Sequence, residues 1–382
     1  MKTHLYVFGS GDCGQLGLGE DVDMSRKPRL HPFFENVRVT AVVAGGLHSL
    51  ALAADGKVYS WGCNDEKALG HSAPEFAVGM VEGLEGKRVV QVAAGDSISA
   101  ALAEDGRVYT WGTFRDSKGV LGHQPRGSLM QERPTIIESL ASLRVTYIAA
   151  GSNHLMAVTE DGQLYAWGSG EQGQLGRRVL ERHKLLALRP TNVTPRLGRS
   201  RVRVVRVICG SYHTLVLAEV EGNGMVFGMG LNNFGQLGLA DHADRMTAEL
   251  VDSAHWRGAI PTDAGAGEHH SILLTSNGQI FSFGRTDSGQ LGIEVPAGAR
   301  ACNVPMPVTT MPGPATLIAA GGNHSLAVTD AGLFSWGYGE MHQLGHGPDE
   351  VERAPRLVQF GWQGRIRQVA AGGQHSVVLT AE

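Results

Sequence analysis

Ala44-Gly45-Gly46-Leu47-His48-Ser49-Leu50-Ala51-Leu52, followed by Asp55-Gly56-Lys57-Val58-Tyr59-Ser60-Trp61-Gly62 and closed by Leu69-Gly70, is the stretch that decides the fold. Short runs of strand-forming residues flank Asp55-Gly56, a dipeptide suited to the tight turns that join twisted strands, and predict an antiparallel hairpin. The stretch returns. With its first glycine as marker it recurs at Gly95, Gly151, Gly210, Gly267, Gly321 and Gly372, at intervals of 50 to 59 residues. A second marker, the Trp-Gly-type pair that runs on to Leu-Gly, stands at Gly9, Gly62, Gly112, Gly168, Gly230, Gly284 and Gly337.

The two markers occur equally often but out of phase. The first Trp-Gly-type half, Val7-Phe8-Gly9 to Leu16-Gly17, has no Ala-Gly half before it, and the last Ala-Gly half, Ala371 to Leu379, has no Trp-Gly half after it. A linear stack has no use for that split, whereas a closed ring unites the two halves in one blade. The pattern predicts an all-β fold: a seven-bladed β-propeller, residues 1–382 forming one domain, closed by pairing N-terminal and C-terminal half-repeats. The Ala-Gly segments, almost without side chain, suit backbone crowded at the ring axis. Segments between Leu-Gly and the next Ala-Gly, several carrying proline (Pro134, Pro190, Pro195, Pro305, Pro355), are expected to supply outer strands and surface loops. Glu219 to Asn223 lengthens the turn of the fifth hairpin.

Composition excludes several classes. No apolar run approaches the about 18 residues a membrane span needs, and Met1 to Ser10 reads as a strand rather than a signal peptide. Cys13, Cys63, Cys209 and Cys302 lie in different repeats and form no CxxC pair, which points to a reducing, intracellular setting and away from a zinc knuckle. No G-x-S-x-G elbow is present, and the Gly-rich segments follow the blade period instead of opening a helix. No cofactor and no metal are expected; the chain reads as a binding protein that acts on another molecule. Its net charge of −4 says little, but Arg177 to Arg206 holds ten Lys/Arg against one acid, Glu181, a basic surface able to meet an anion.

Two departures from the repeat carry functional content. From frame glycine to closing glycine the count is 8 in six copies and 10 in the third, Gly112 to Gly122, the extra length falling in Thr113-Phe114-Arg115-Asp116-Ser117-Lys118-Gly119. Aromatic, cation, anion and terminal glycine together make a rigid projection able to insert into a partner. The frame histidine recurs as His48, His154, His213, His270, His324 and His375, with Ile98 in its place in the third copy. Six copies at one offset point to structural hydrogen bonds, not to six active sites. The residues just before it vary (Leu47, Ser97, Asn153, Tyr212, His269, Asn323, Gln374) and are expected to ring one mouth of the propeller, with Asp12 and Asp96 adding negative charge there.

These segments resemble the regulator of chromosome condensation family over the whole chain. Beyond the repeat, GDCGQLGLGE (Gly11 to Glu20), GCNDEKALG (Gly62 to Gly70), WGTFRDSKGVLG (Trp111 to Gly122) and GSGEQGQLGR (Gly168 to Arg177) are similar to its chromatin-bound guanine-nucleotide exchange factors for the small GTPase Ran. The resemblance implies that one propeller face grips Ran and that Phe114-Arg115-Asp116-Ser117-Lys118-Gly119 is a β-wedge pressed against the nucleotide site, with Arg115 its cation. It also implies acidic face residues Asp12 and Asp96, face histidines His48, His269 and His375, and a place for Arg177 on the same surface. Asn153 stands where the family's exchange factor has an aspartate that matters for exchange, which bears on the strength of exchange. No covalent catalysis is implied. Arg178, Arg182, Lys184, Arg196, Arg199, Arg201 and Arg203 become candidate contacts to nucleosome histones or DNA. A nuclear, chromatin-associated monomer without membrane attachment is expected; the family's basic N-terminal tail has no counterpart before the first strand, so a cytoplasmic pool is expected as well. An alternative, a non-exchange scaffold propeller of the same repeat family, explains the repeat but not the Thr113–Gly119 projection. A photoreceptor of the plant UV-B type needs clustered face tryptophans, and Trp61, Trp111, Trp167 and Trp336 belong to the Trp-Gly strands.

Overall fold

A computed structural model describes residues 2–74, 76–256, 258–347 and 350–382. Seven four-stranded antiparallel sheets form the blades of a closed propeller, and a separate two-stranded ribbon projects from one of them. Blade 2 shows the plan: inner strand Val39–Ala44, then His48–Ala53 and Val58–Gly62, then the short outer strand Gly79–Met80. The Asp-Gly hairpin forms as expected, with Gly56 at φ +84°, a left-handed conformation that glycine adopts without the strain a Cβ would bring. The Ala-Gly marker ends a separate inner strand instead of opening the hairpin. The connections supply the outer strands.

Blade 1 closes the ring with two strands from each end of the chain, in the order Met24–Leu30, Thr3–Ser10, His375–Ala381 and Arg365–Ala371. Tyr6 lies opposite Val378 and Phe8 opposite Ser376. Blades 3 to 7 follow in sequence, their inner strands beginning at Val89, Val145, Val202, Pro261 and Leu317. In blade 5 the lengthened turn extends both hairpin strands, His213–Val220 and Asn223–Gly230.

Close approach at the axis explains the marker glycine. A Cβ on Gly45 would sit 2.2 Å from the carbonyl oxygen of Gly95, and one on Gly95 would sit 2.4 Å from that of Gly151. The same glycine-to-glycine contact passes round the ring and returns from Gly372 to Gly45. Any side chain there would push two blades apart. The apolar core is divided among the spaces between adjacent blades, and Trp61, Trp111, Trp167 and Trp336 are buried in those spaces.

Polar seams join the blades. His375 Nε2 meets Ser49 Oγ at 2.8 Å, His48 meets Ser99 at 2.8 Å, His154 meets Thr214 at 2.9 Å and His213 meets Ser271 at 2.8 Å. His270 with Ser325 at 3.0 Å and His324 with Ser376 at 2.9 Å complete the series. Most of these hydroxyls donate to a loop carbonyl of the preceding blade, as Ser99 does to Ala68 at 2.8 Å, so the imidazole Nε2–H is the donor in the first bond. Burial pushes the pKa of His48 down to about 4 and those of the other five to about 3, and the rings are neutral at pH 7.

Between blades 3 and 4 this seam is missing. Ile98 replaces the histidine, Leu155 replaces the hydroxyl, and both are fully buried. The indole N–H bonds change with them. Trp61 donates to Gln15 at 2.9 Å, Trp111 to Ala68 at 2.7 Å and Trp336 to Gln290 at 3.0 Å, but Trp167 Nε1 has no acceptor among the described residues. This junction is the one beside the lengthened loop of blade 3.

Candidate functional site

Antiparallel pairing puts His48 opposite Gly62, so the frame loop and the Trp-Gly loop of each blade share one end of the ring and the hairpin turns share the other. The loop end is the mouth on which Asn153, Tyr212, His269, Asn323 and Gln374 stand partly or wholly accessible. Its axis is a funnel lined by small residues of all seven blades, and among the described residues that line it Asp96 is the one charged side chain. Water reaches Asp96, yet protein surrounds it on most sides, and this desolvation raises its carboxyl pKa; a hydrogen bond from Ser152 opposes the rise, Glu268 adds to it and Arg115 opposes it. Asp12, exposed on blade 1, is held below the usual carboxylate range by Ser10 Oγ at 2.6 Å and Gln15 Nε2 at 2.9 Å.

The projection is a ribbon, Phe114–Asp116 paired with Gly119–Gly122, whose tip residues Ser117 and Lys118 are exposed. Its neighbours hold it along its length. Asn153 Oδ1 accepts from the Arg115 backbone N–H at 2.9 Å, and the Arg115 guanidinium pairs with Glu66. Lys184 Nζ donates to Asp116 at 2.6 Å. Glu171 accepts from Ser117 N–H at 2.8 Å and from Ser117 Oγ at 2.6 Å, and Lys118 pairs with Glu181. Asp96, Arg115 and Asn153 are thus brought together at one side of the mouth.

Four expectations are corrected. Phe114 does not insert into a partner: it is 1 % exposed and packs with Ile98, Leu155, Trp167 and Leu188. Strand alternation turns it inward, and the apolar seam leaves room for the ring. His48 and His375 are not face residues, because the inter-blade hydroxyl bonds described above bury them completely. Lys184 is not a free cation for chromatin, because Asp116 and Glu181 both engage it. Arg177 lies away from the mouth: its half-buried guanidinium donates to the Ala187 carbonyl at 3.4 Å and lines a cleft with Asp161, Arg196 and Arg201 near the hairpin-turn end of blade 4.

His269 does stand on the mouth, stacked on Tyr212 at 5.8 Å and edge-on to Phe234 at 5.1 Å, with Arg285 over the Phe234 ring. Of the other basic residues, Arg178, Arg182, Arg196, Arg199 and Arg201 are exposed, and Arg203 pairs with Glu219 at 3.2 Å. Sequence reasoning missed Glu66, Glu171, Glu268, Phe234, Arg285 and Leu155. Glu66 and Glu171 lay inside the quoted loop motifs, and Leu155 was visible as the one break in the Ser/Thr column that follows the frame histidine. Among the described residues no group of His, Cys, Asp and Glu is arranged to hold a metal ion.

Comparison with known proteins agrees with this architecture. The model of the RCC1-like domain matches residues 4–378. The chain belongs to that family. It is 37 % identical to the human regulator of chromosome condensation over 98 % of this chain and 90 % of the relative. It is 32 % identical to the guanine nucleotide exchange factor SRM1 of Saccharomyces cerevisiae, over 98 % of this chain and 86 % of that protein. The crystal structure of Prp20p from the same yeast, described with its binding properties to Gsp1p and histones, superposes with a TM-score of 0.92 at 32 % identity, covering 99 % of this chain and 91 % of that one.

Proposed function

We propose that this chain is a guanine-nucleotide exchange factor for a small GTPase of the Ran type. The single observation that carries the reading is the Phe114–Gly122 ribbon, braced at the rim of an acidic mouth in a family whose yeast member is named an exchange factor. A GTPase holds its nucleotide through a Gly-rich loop, a lysine and Mg²⁺. A partner that binds the empty form more tightly than the loaded form lowers nucleotide affinity by the same factor, because linkage is reciprocal. In this reading Arg115 to Lys118 are the β-wedge that displaces the nucleotide-holding elements. Asp96, Asp12, Glu268 and His269 hold the rest of the GTPase. No covalent step is needed.

Attachment to chromatin is part of the proposal, through the exposed arginines Arg178, Arg182, Arg196, Arg199 and Arg201. Binding to nucleosomes should weaken steeply with salt if DNA phosphates are touched. The deciding experiment is stopped-flow release of labelled GDP from Ran. Wild type should accelerate release, and Arg115→Ala together with Asp96→Ala should remove most of that acceleration, about tenfold or more. Absence of acceleration by wild type, or full acceleration by the double variant, overturns the proposal.

A further inference from the structure

We infer that Lys184, in the 3-10 segment Glu181–Leu188 of blade 4, is the positioning residue of the β-wedge, and that this segment is a strut built to keep the wedge from yielding. The inference rests on the exchange reading above. It begins with a pair near the exposed tip of the ribbon. The Asp116 side chain is 3 % exposed, and Lys184, 68 residues further along the chain, reaches it at 2.6 Å. The carboxylate lies close to the surface under the Lys184 side chain, held by that ammonium and by the Lys118 backbone N–H, so loss of Lys184 removes the cation that ties this part of the ribbon to blade 4. Burial alone pushes the Asp116 pKa up, but the Lys184 ammonium and the Lys118 backbone N–H outweigh it and keep the carboxylate charged.

The strut is fixed from below. Ala187 and Leu188 are buried, Leu188 joins the cluster that contains Phe114 and Leu121, and Arg177 donates to the Ala187 carbonyl. One segment therefore holds the ribbon twice, by apolar packing at its base through Leu188 and by ion pairs at its tip through Lys184 and Glu181. This arrangement has a mechanical meaning. A spur that bends on contact spends the partner's binding energy on its own movement, whereas one already held in its bound shape can pass that energy to the nucleotide site. Lys184 acts through Asp116 and need not touch the GTPase.

The test uses the full chain with Lys184→Met and two measurements. In the isolated protein, hydrogen exchange of the backbone amides from Arg115 to Val120 should speed up. In stopped-flow release of labelled GDP from Ran, the maximal rate should fall about fivefold or more, while the Ran concentration giving half-maximal rate stays within about twofold and Lys184→Arg restores most of the loss. Unchanged amide exchange overturns the strut. An unchanged maximal rate, or a loss seen only as a higher half-maximal concentration, overturns the positioning role. If Lys184→Met does not fold, Lys184→Gln, which keeps a donor near Asp116 without the charge, is taken through the same assays and judged by the same outcomes. Failure of wild type to act on Ran would sink the exchange reading, and the amide measurement would still judge the strut.

Discussion

Six of the seven junctions between blades are sewn by a histidine and a hydroxyl, and the junction between blades 3 and 4 is not. At the six, a neutral imidazole crosses the gap and the indoles that donate find a loop carbonyl. At the seventh, Ile98, Leu155 and Phe114 fill the gap with hydrocarbon, and Trp167 Nε1 has no acceptor among the described residues. The difference lies where the ribbon departs. The loop there is longer by two residues, and Ile98 and Leu155 stand where the other junctions have histidine and hydroxyl, while the indole of Trp167 is retained. Polar groups buried without partners cost about 1–3 kcal/mol each, and Ile98 and Leu155 leave no imidazole or hydroxyl to be satisfied at this junction. The ribbon belongs to a modified junction, not to one loop alone.

Acid should separate the two kinds of junction most strongly. The six seam histidines are neutral when folded, with pKa values of about 3 to 4, while in the unfolded chain they take up protons below about pH 6.5. The unfolded state then binds more protons, so stability present at pH 7 is lost as pH falls from 6.5 toward 4, by up to about 1.4 kcal/mol per pH unit for each histidine. Thermal unfolding from pH 7.5 to 5 should show a steep fall in Tm; a flat profile would mean that the imidazoles are not held neutral.

Phe114→Ala comes next, at about 3–5 kcal/mol in chemical denaturation, because the junction that lost its hydrogen bonds depends on that ring. A cost below about 1 kcal/mol would place the ring outside the core. At a sewn junction, His48→Ile should cost about 1–3 kcal/mol because Ser99 loses its donor and the new side chain meets a hydroxyl. Adding Ser99→Leu, which copies the Ile98–Leu155 pair, should return part of that cost, and a double-mutant cycle would read the coupling. Strictly additive costs would break the comparison drawn above. The smallest effect is expected at Asn153. Asn153→Asp keeps an acceptor for the Arg115 N–H and adds charge to it, so GDP release should quicken by about twofold, and an unchanged or slower rate would remove this residue from the account.

Much of the ring was legible because its signals are local and repeated. The offset between Gly9 and Gly372 halves foretold the shared blade, and the longer count from Gly112 to Gly122 located the ribbon. What could not be read depends on direction and on distant partners. Whether Phe114 points outward or inward is decided by strand alternation within the ribbon and by the space that Ile98 and Leu155 leave. The Asp116–Lys184 contact joins two surface loops of different blades, and no spacing rule marks it. The basic stretch from Arg177 to Arg206 read as one patch because composition averages over space; folding divides it between a brace for the ribbon and a cleft near the opposite end of the ring.

Thr3 lies opposite Ala381 in the shared blade, at the end of the strands remote from Gly9 and His375. A peptide joined before Thr3 or after Ala381 would leave the molecule on the side away from the ribbon, next to one joined at the other position. Fluorophores, affinity tags or immobilising linkers attached there would leave the rim that carries the ribbon unobstructed, which makes the two places equivalent for tethering this propeller.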